Sequence, residues 1–224
     1  MNVIAIDGPA GSGKSSTAHA VATRLGLAHL DSGALYRAVT LAALDHGTPL
    51  DGQRLVALAR ALPVRLALVN DLFRPEVAGV DVSAAVRRAD VTGRVSTVAA
   101  LPAVRDEVNA MLREAAARHP HGVVVDGRDI GTVVFPDARL KIYLTASAAE
   151  RATRRLSQEG RETAAGAIRV EAERLAARDA ADAGRAVAPL RPAADAVPLD
   201  TTGMAFDEQV TRIADLARGA FGHP

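Results

Sequence analysis

The chain has 224 residues, 49% of them hydrophobic and 24% charged, a composition that supports one globular domain with insertions and speaks against disorder. Twenty-seven basic residues against 26 acidic ones leave a formal net charge of +1, so no bulk field recruits nucleic acid or an anionic membrane, and neither is expected as a partner. The absence of cysteine excludes disulfide scaffolds, thiolate nucleophiles and cysteine-held zinc or iron–sulfur centres. No apolar run reaches the roughly 18 to 20 residues of a membrane span. The apolar start runs straight into a Gly-rich turn at Gly8, leaving no room for a secretion leader. These features point to a cytoplasmic enzyme or switch. The basic residues comprise 25 Arg and only two Lys, Lys14 and Lys141, so each lysine asks for a reason.

Val3 to Ile6, closing on Asp7, reads as a buried strand that enters a tight loop, followed by a helix from about Lys14 to Leu25. Gly33 to His46 has helical spacing, and Asp51 caps a further helix to about Leu62. Between Val64 and Val82 the pattern alternates, Asn70-Asp71 offers a turn and Pro75 suits an edge, which predicts a small antiparallel patch. Helices resume over Ala84 to Ala100 and from Pro102 to about Arg118. Val123 to Asp126 and Leu140 to Leu144 are continuous apolar runs of the kind buried on both faces of a parallel sheet. Ser147 to Glu159 and Ala164 to Ala183 are Arg-rich helical stretches with little apolar face, expected to form a mobile, solvated subdomain. Pro189, Pro192 and Pro198 mark an extended connector, then Ala196 to Leu199 forms a last strand and Phe206 to Ala220 a terminal helix.

Gly8-Pro9-Ala10-Gly11-Ser12-Gly13-Lys14-Ser15 has the spacing GxxxxGK followed by Ser or Thr, between a predicted strand and a predicted helix. Such a loop turns successive backbone N–H groups inward around phosphate oxygens, and the helix N-terminus and Lys14 add positive charge. Ser15 offers an oxygen to Mg²⁺, and Asp126, at the end of its apolar run, is the carboxylate expected beside that ion. Read alone, Asp126 would be a solvated strand end; its weight comes from pairing with the loop. A dinucleotide fingerprint fails because Ser16 stands where its third glycine belongs. Phosphoryl transfer needs positioning and charge neutralisation more than covalent help, so a kinase or NTPase leads.

Three further blocks narrow the class: Asp31-Ser32-Gly33-Ala34-Leu35-Tyr36-Arg37, then Asp126-Gly127-Arg128-Asp129-Ile130-Gly131-Thr132-Val133-Val134-Phe135-Pro136-Asp137-Ala138, then Arg185-Ala186-Val187-Ala188-Pro189-Leu190. With the loop, they closely resemble the bacterial cytidylate kinases, collinearly from about residue 3 to about residue 217. The resemblance implies an α/β fold with a P-loop NTPase-type parallel sheet flanked by helices, a small antiparallel nucleoside-monophosphate-binding insertion and a helical, Arg-rich lid. It implies one kinase domain over 1–224, with a core at about 1–60, 102–148 and 188–224, the insertion at about 61–101 and the lid at about 149–187. ATP would phosphorylate CMP or dCMP with Mg²⁺, and no protein partner is implied.

By the same resemblance, Gly8, Pro9, Ala10, Gly11, Ser12, Gly13, Lys14, Ser15 and Ser16 hold the donor nucleotide, with Ser15 and Asp126 at the metal. Asp129 and Arg105, assisted by Ser96, contact the cytosine, and Ser32, Arg37 and Arg128 lie around the CMP phosphate or its approach. Arg178 and Arg185 approach from the lid and Asp182 stands near the ribose, so that Lys14, Arg128, Arg178 and Arg185 form the catalytic set. If one helix carries residues 178, 182 and 185, their i, i+4, i+7 spacing puts them on one face. Ala181 and Ala183 stand where relatives carry arginine, which leaves Arg151, Arg154 and Arg155 as substitutes unless they pair with acids such as Glu150 or Glu159. Ser15-Ser16 replaces the Gly-Thr common in relatives, so Ser15 would meet Mg²⁺ more directly and Ser16 the α-phosphate.

The chemistry fits this implication. A nucleoside monophosphate attacks through an oxygen already anionic near neutral pH, its second pKa being about 6, and needs no general base. Cytosine presents an N4 amino donor beside N3 and O2 acceptors, so a carboxylate and a guanidinium select it over uracil. Two rivals stay open: another P-loop small-molecule kinase, for UMP, AMP or shikimate, and a nucleotide-controlled switch. The NKxD motif of a guanine-reading switch does not occur. His119 and His121 flank Pro120 in a turn and the other histidines are scattered, so no histidine metal site is expected.

Overall fold

Strand β1 (Val3–Asp7) is buried at every residue and delivers the chain into the Gly-rich loop, after which helix α1 (Lys14–Leu25) begins. Left-handed Gly26 ends that helix by donating its N–H to Ala22 and Thr23 carbonyls. The computed structural model describes residues 2–222. These divide into one unit over 28–123 and a second that combines 2–27 with 124–222.

The first unit contains β2 (Ala28–Asp31), α2 (Ser32–Asp45), α3 (Gly52–Ala61), β3 (Val64–Val69), β4 (Leu72–Val77), β5 (Val80–Asp81), α4 (Ala89–Ala99) and α5 (Pro102–Ala117). Asp51 caps α3 as expected, accepting from the Arg54 N–H at 3.0 Å, and Pro102 opens α5. The antiparallel hairpin pairs Val69 with Leu72 across Asn70 and Asp71, whose φ values of 50° and 58° are those of a two-residue primed turn.

Pro75 does not lie on an edge strand. β4 pairs with β3 along its length and with β2 and β5 at other points, so β3 is the outer strand of this unit. Counting from the Val69–Leu72 pair, Pro75 opposite Leu66 falls at a non-hydrogen-bonded position, and the β3 ladder loses nothing to its missing N–H. The helix expected over 84–100 is divided: a short 3₁₀ turn (Ala85–Arg87) precedes an extended Arg88 (ψ 146°), and α4 starts after it. Arg88 is held there by Asp90, in the first turn of α4, and by Asp45. The strand β2 was not anticipated.

The second unit holds β1, α1, β6 (Val123–Gly127), β7 (Leu140–Thr145), α6 (Ala148–Gln158), α7 (Ala165–Ala183), β8 (Val197–Asp200) and α8 (Phe206–Phe221), with strand order β6-β1-β7-β8. β1 runs parallel to β7 (Ile6 opposite Ile142) and β7 parallel to β8 (Leu144 opposite Leu199). Ile4, Ile6, Val21, Ile142, Leu144, Val210 and Ile213 build the core between these strands and helices α1 and α8. The fold is therefore the α/β class expected, with a mostly parallel sheet and an antiparallel hairpin.

The polar helices α6 and α7 do carry an apolar seam: Ala10, Ala152 and Leu175 pack together, flanked by Ile168 and Ala172. Leu156 of α6 is fully buried as well. No helix among the described residues is long and apolar enough to cross a membrane.

Candidate active site

The phosphate loop has the backbone that its glycines allow. Gly8 (φ 151°), Gly11 (φ 75°) and Gly13 (φ 88°) all lie at positive φ. A Cβ on Gly8 would stand 2.1 Å from the Leu144 carbonyl oxygen, and one on Gly11 would stand 3.0 Å from that of Arg151. Lys14 folds back over the loop, its Nζ donating to the Pro9 carbonyl at 2.6 Å and to Ser12 Oγ at 3.3 Å. Burial and the nearby Arg128 push its ammonium well below the ordinary lysine value, against the pull of Asp126, Asp179 and Asp7. Ser15 and Ser16 are exposed on the first turn of α1, and Ser15 Oγ donates to Asp126 Oδ2 at 2.6 Å. Asp126 itself is buried at the end of β6.

Two residues of α6 and one of α7 brace the loop from outside. Asp179 accepts the Ala10 N–H at 2.8 Å, while Arg151 donates to the Ala10 carbonyl at 2.7 Å and to Asp179 at 2.5 Å. Arg154 donates to the Ser12 carbonyl and to both oxygens of Thr201. Arg155 pairs with Glu159 at 2.8 Å. Of the three arginines considered as substitutes for lid guanidiniums, Arg151 and Arg154 thus hold the loop, while Arg155 pairs with Glu159 one turn along. Asp179 was missed because its partner is a backbone N–H, which no residue type in the sequence marks.

Asp182, on the last turn of α7, joins two arginines: Arg128 Nε donates to one carboxylate oxygen at 3.0 Å and Arg185 to the other at 2.5 Å. The shared-face geometry expected for residues 178, 182 and 185 holds only for the first two. Helix α7 ends at Ala183 with Gly184 as its cap, so Arg185 lies beyond the helix and returns to Asp182 through the turn.

Arg128 also donates to the Gly127 carbonyl at 3.2 Å, and the buried Asp129 opens a π turn over Ile130–Val134. The first two N–H groups of that turn, on Ile130 and Gly131, are both accepted by the Asp7 carboxylate, at 2.8 and 2.7 Å. Burial raises Asp7 from 3.8 to about 6, opposed by these two N–H groups; the charge of Asp129 raises it further and Lys14 lowers it. The folded chain holds this proton up to about pH 6, whereas the unfolded chain releases it near 3.8. The stability that Asp7 contributes is therefore complete below about pH 4 and is lost as pH rises towards 6, by about 3 kcal/mol. Urea denaturation across pH 4 to 7 should show this decline relative to Asp7→Asn; parallel curves would refute it.

The other residues expected from the sequence lie in the first unit. Ser32 is buried as the first residue of α2; the cap is Asp31, which accepts from the Ala34 N–H at 3.1 Å. Arg37, also on α2, donates to Thr92 Oγ1 at 2.8 Å and to the Val86 carbonyl at 3.2 Å. Arg105, in the first turn of α5, is buried, donates to the Ala99 carbonyl at 3.0 Å and lies 5.5 Å above the Tyr36 ring. Ser96 is half-buried on α4. Sequence reasoning did not single out Tyr36; its role is to offer a ring face to the Arg105 guanidinium.

For a divalent cation, the Ser15–Asp126 pair supplies hard oxygens of the type Mg²⁺ takes. Among the described residues no group of three or more His, Asp or Glu could hold a metal ion. The fit is therefore to an ion whose coordination is completed by phosphate and water oxygens, as is usual for Mg²⁺.

The cytidylate kinase family model matches residues 4–219. A cytidylate kinase from Corynebacterium efficiens is 47% identical over 224 residues, covering 97% of this chain and 95% of its own length. Another, from Streptomyces griseus, is 45% identical over 219 residues, covering 97% and 93%. A solved structure from Thermus thermophilus, 21% identical with a TM-score of 0.50 over 97% of both chains, shares the fold. The chain belongs to the cytidylate kinase family and is an enzyme, a nucleoside monophosphate kinase.

Proposed function

We propose that this chain transfers the γ-phosphoryl group of ATP in line to CMP or dCMP, giving ADP and CDP or dCDP. The observation that carries this reading is the Ser15–Asp126 hydrogen bond. It joins the phosphate loop to the strand whose end bears Arg128 and Asp129, so donor-binding and acceptor-reading residues share one rigid support. A phosphate oxygen of the monophosphate forms the new bond to the γ-phosphorus while the bond to the β,γ-bridging oxygen breaks, and ADP leaves with that electron pair.

Residues Gly8 to Ser16 present backbone N–H groups and Lys14 to the donor phosphates. Lys14, Arg128, Arg178 and Arg185 stabilise the charge that spreads over the transferring group. Ser15 and Asp126 would hold Mg²⁺, which when bound neutralises charge on the donor's phosphate oxygens. Ser32 and Arg37 take the acceptor phosphate, Arg105 with Ser96 the acceptor edge of cytosine, and Asp129 its amino group. Asp182 stands near the ribose while aligning Arg128 and Arg185. We assign residues 61–101 to acceptor binding and 149–187 to the lid that excludes water during transfer. The reaction belongs to the cytoplasm.

Initial rates with CMP, dCMP, UMP and AMP under Mg·ATP test this directly. CMP or dCMP should exceed UMP in kcat/KM by on the order of 100-fold, and Asp129→Ala should cut that preference at least tenfold. Equal use of UMP or AMP would favour the wider small-molecule kinases, and tight nucleotide binding with no turnover would favour a switch.

A further inference from the structure

We infer that Asp7 is a positioning residue for acceptor specificity, holding Asp129 in place by clamping the two N–H groups that follow it. The inference rests on the reading of Asp129 as the group that receives the cytosine amino group.

A π turn leaves the N–H groups at its start without partners inside the turn, and buried N–H groups are satisfied elsewhere. The far end of this turn is closed by its own chain: Val133 and Val134 N–H both donate to the Asp129 carbonyl, and Phe135 N–H to that of Ile130. The near end is not. Its Ile130 and Gly131 N–H groups reach one carboxylate oxygen each on Asp7, a residue more than 120 positions earlier. Two parallel bonds to one planar group fix rotation as well as distance, and the residue thereby oriented is Asp129, immediately before them.

Packing adds a second constraint. A Cβ on Gly131 would stand 3.1 Å from Lys141 Cδ and 3.4 Å from Asp7 Oδ2, so the turn is pinned between the Asp7 carboxylate and the Lys141 stem. Lys141 is in turn tied down, its Nζ 2.9 Å from Asp195. This gives a reason for one of the two lysines in the sequence.

The alternative is that Asp7 affects specificity only through charge. Asp7 and Asp129 repel, so removing the Asp7 charge would then leave CMP preference unchanged or strengthen it. Positioning predicts the opposite. In Asp7→Asn one amide oxygen still accepts, but the NH₂ group faces the second N–H, donor against donor, and the clamp is released on one side.

The experiment compares Asp7→Asn, Gly131→Ala and Asp129→Ala with the wild-type enzyme by steady-state kinetics. For Asp7→Asn and Gly131→Ala, KM for CMP should rise at least tenfold and the CMP:UMP ratio of kcat/KM fall at least fivefold, with KM for ATP within about twofold. Equal rises in both KM values, or an unchanged or increased CMP:UMP ratio, would overturn the inference. If Asp129→Ala leaves the ratio unchanged, the base-reading role itself falls; if it erodes the ratio while the other two do not, only the clamp falls. Amide hydrogen exchange on the wild-type protein gives a readout independent of any variant: the Ile130 and Gly131 N–H groups should exchange at least 100-fold more slowly than the N–H of the exposed Glu162, and equal rates would reject the clamp.

Discussion

Lys14→Ala is expected to lower kcat on the order of 10²–10³-fold while leaving CMP affinity within about twofold, as measured by an ADP-coupled assay and calorimetry. The Lys14 ammonium is buried against the loop with the Pro9 carbonyl and Ser12 hydroxyl as its hydrogen-bond acceptors, and its environment disfavours the charge. An arriving triphosphate would reverse that balance, most of all when negative charge spreads over the transferring group, which is the role proposed for Lys14. Truncation removes an expensive buried charge but orphans the Pro9 carbonyl, so the two effects on folding oppose each other and the melting temperature should move little. A fall in kcat below tenfold would remove Lys14 from the transition state.

The second large effect is expected at Asp182, where one carboxylate with 3% of its side chain exposed separates Arg128 and Arg185, exposed by 19% and 9%. Asp182→Ala leaves two guanidiniums facing one another without their shared anion, and such a loss costs about 3–5 kcal/mol. Urea denaturation should show this loss, and inorganic phosphate should recover part of it by taking the place of the carboxylate between the cations. A loss under 1 kcal/mol, or no response to phosphate, would mean that the arginines find other partners. Turnover should fall as well, since both arginines belong to the set proposed to meet the transferring group.

The Gly-rich loop was legible because its backbone demands particular residue types. Positive φ at Gly8, Gly11 and Gly13 requires glycine, and a phosphate loop requires a lysine at its end, so spacing alone located it. The Asp51 cap and the Asn70-Asp71 turn were readable for the same local reason. Strand β2 was not, because four buried residues between a helix-ending glycine and a helix cap show neither period. Asp7 and Asp179 escaped notice because each acts on backbone N–H groups more than 100 residues away, a relation that folding creates and side-chain identity does not announce. Ending this helix at Ala183 agrees with the structure and already leaves Arg185 beyond it, so the i, i+4, i+7 spacing of Arg178, Asp182 and Arg185 does not describe one helix face.

Both backbone polar groups of Ala10, its N–H and its C=O, are engaged by Asp179 and Arg151, which follow it by 169 and 141 residues. The nucleotide grip is therefore not a portable cassette. Transplanting the opening strand, loop and helix into another sheet would carry the contact surface and leave its outer buttress behind. Drift in the second half of the chain can retune ATP affinity without altering any letter of the signature that announces it.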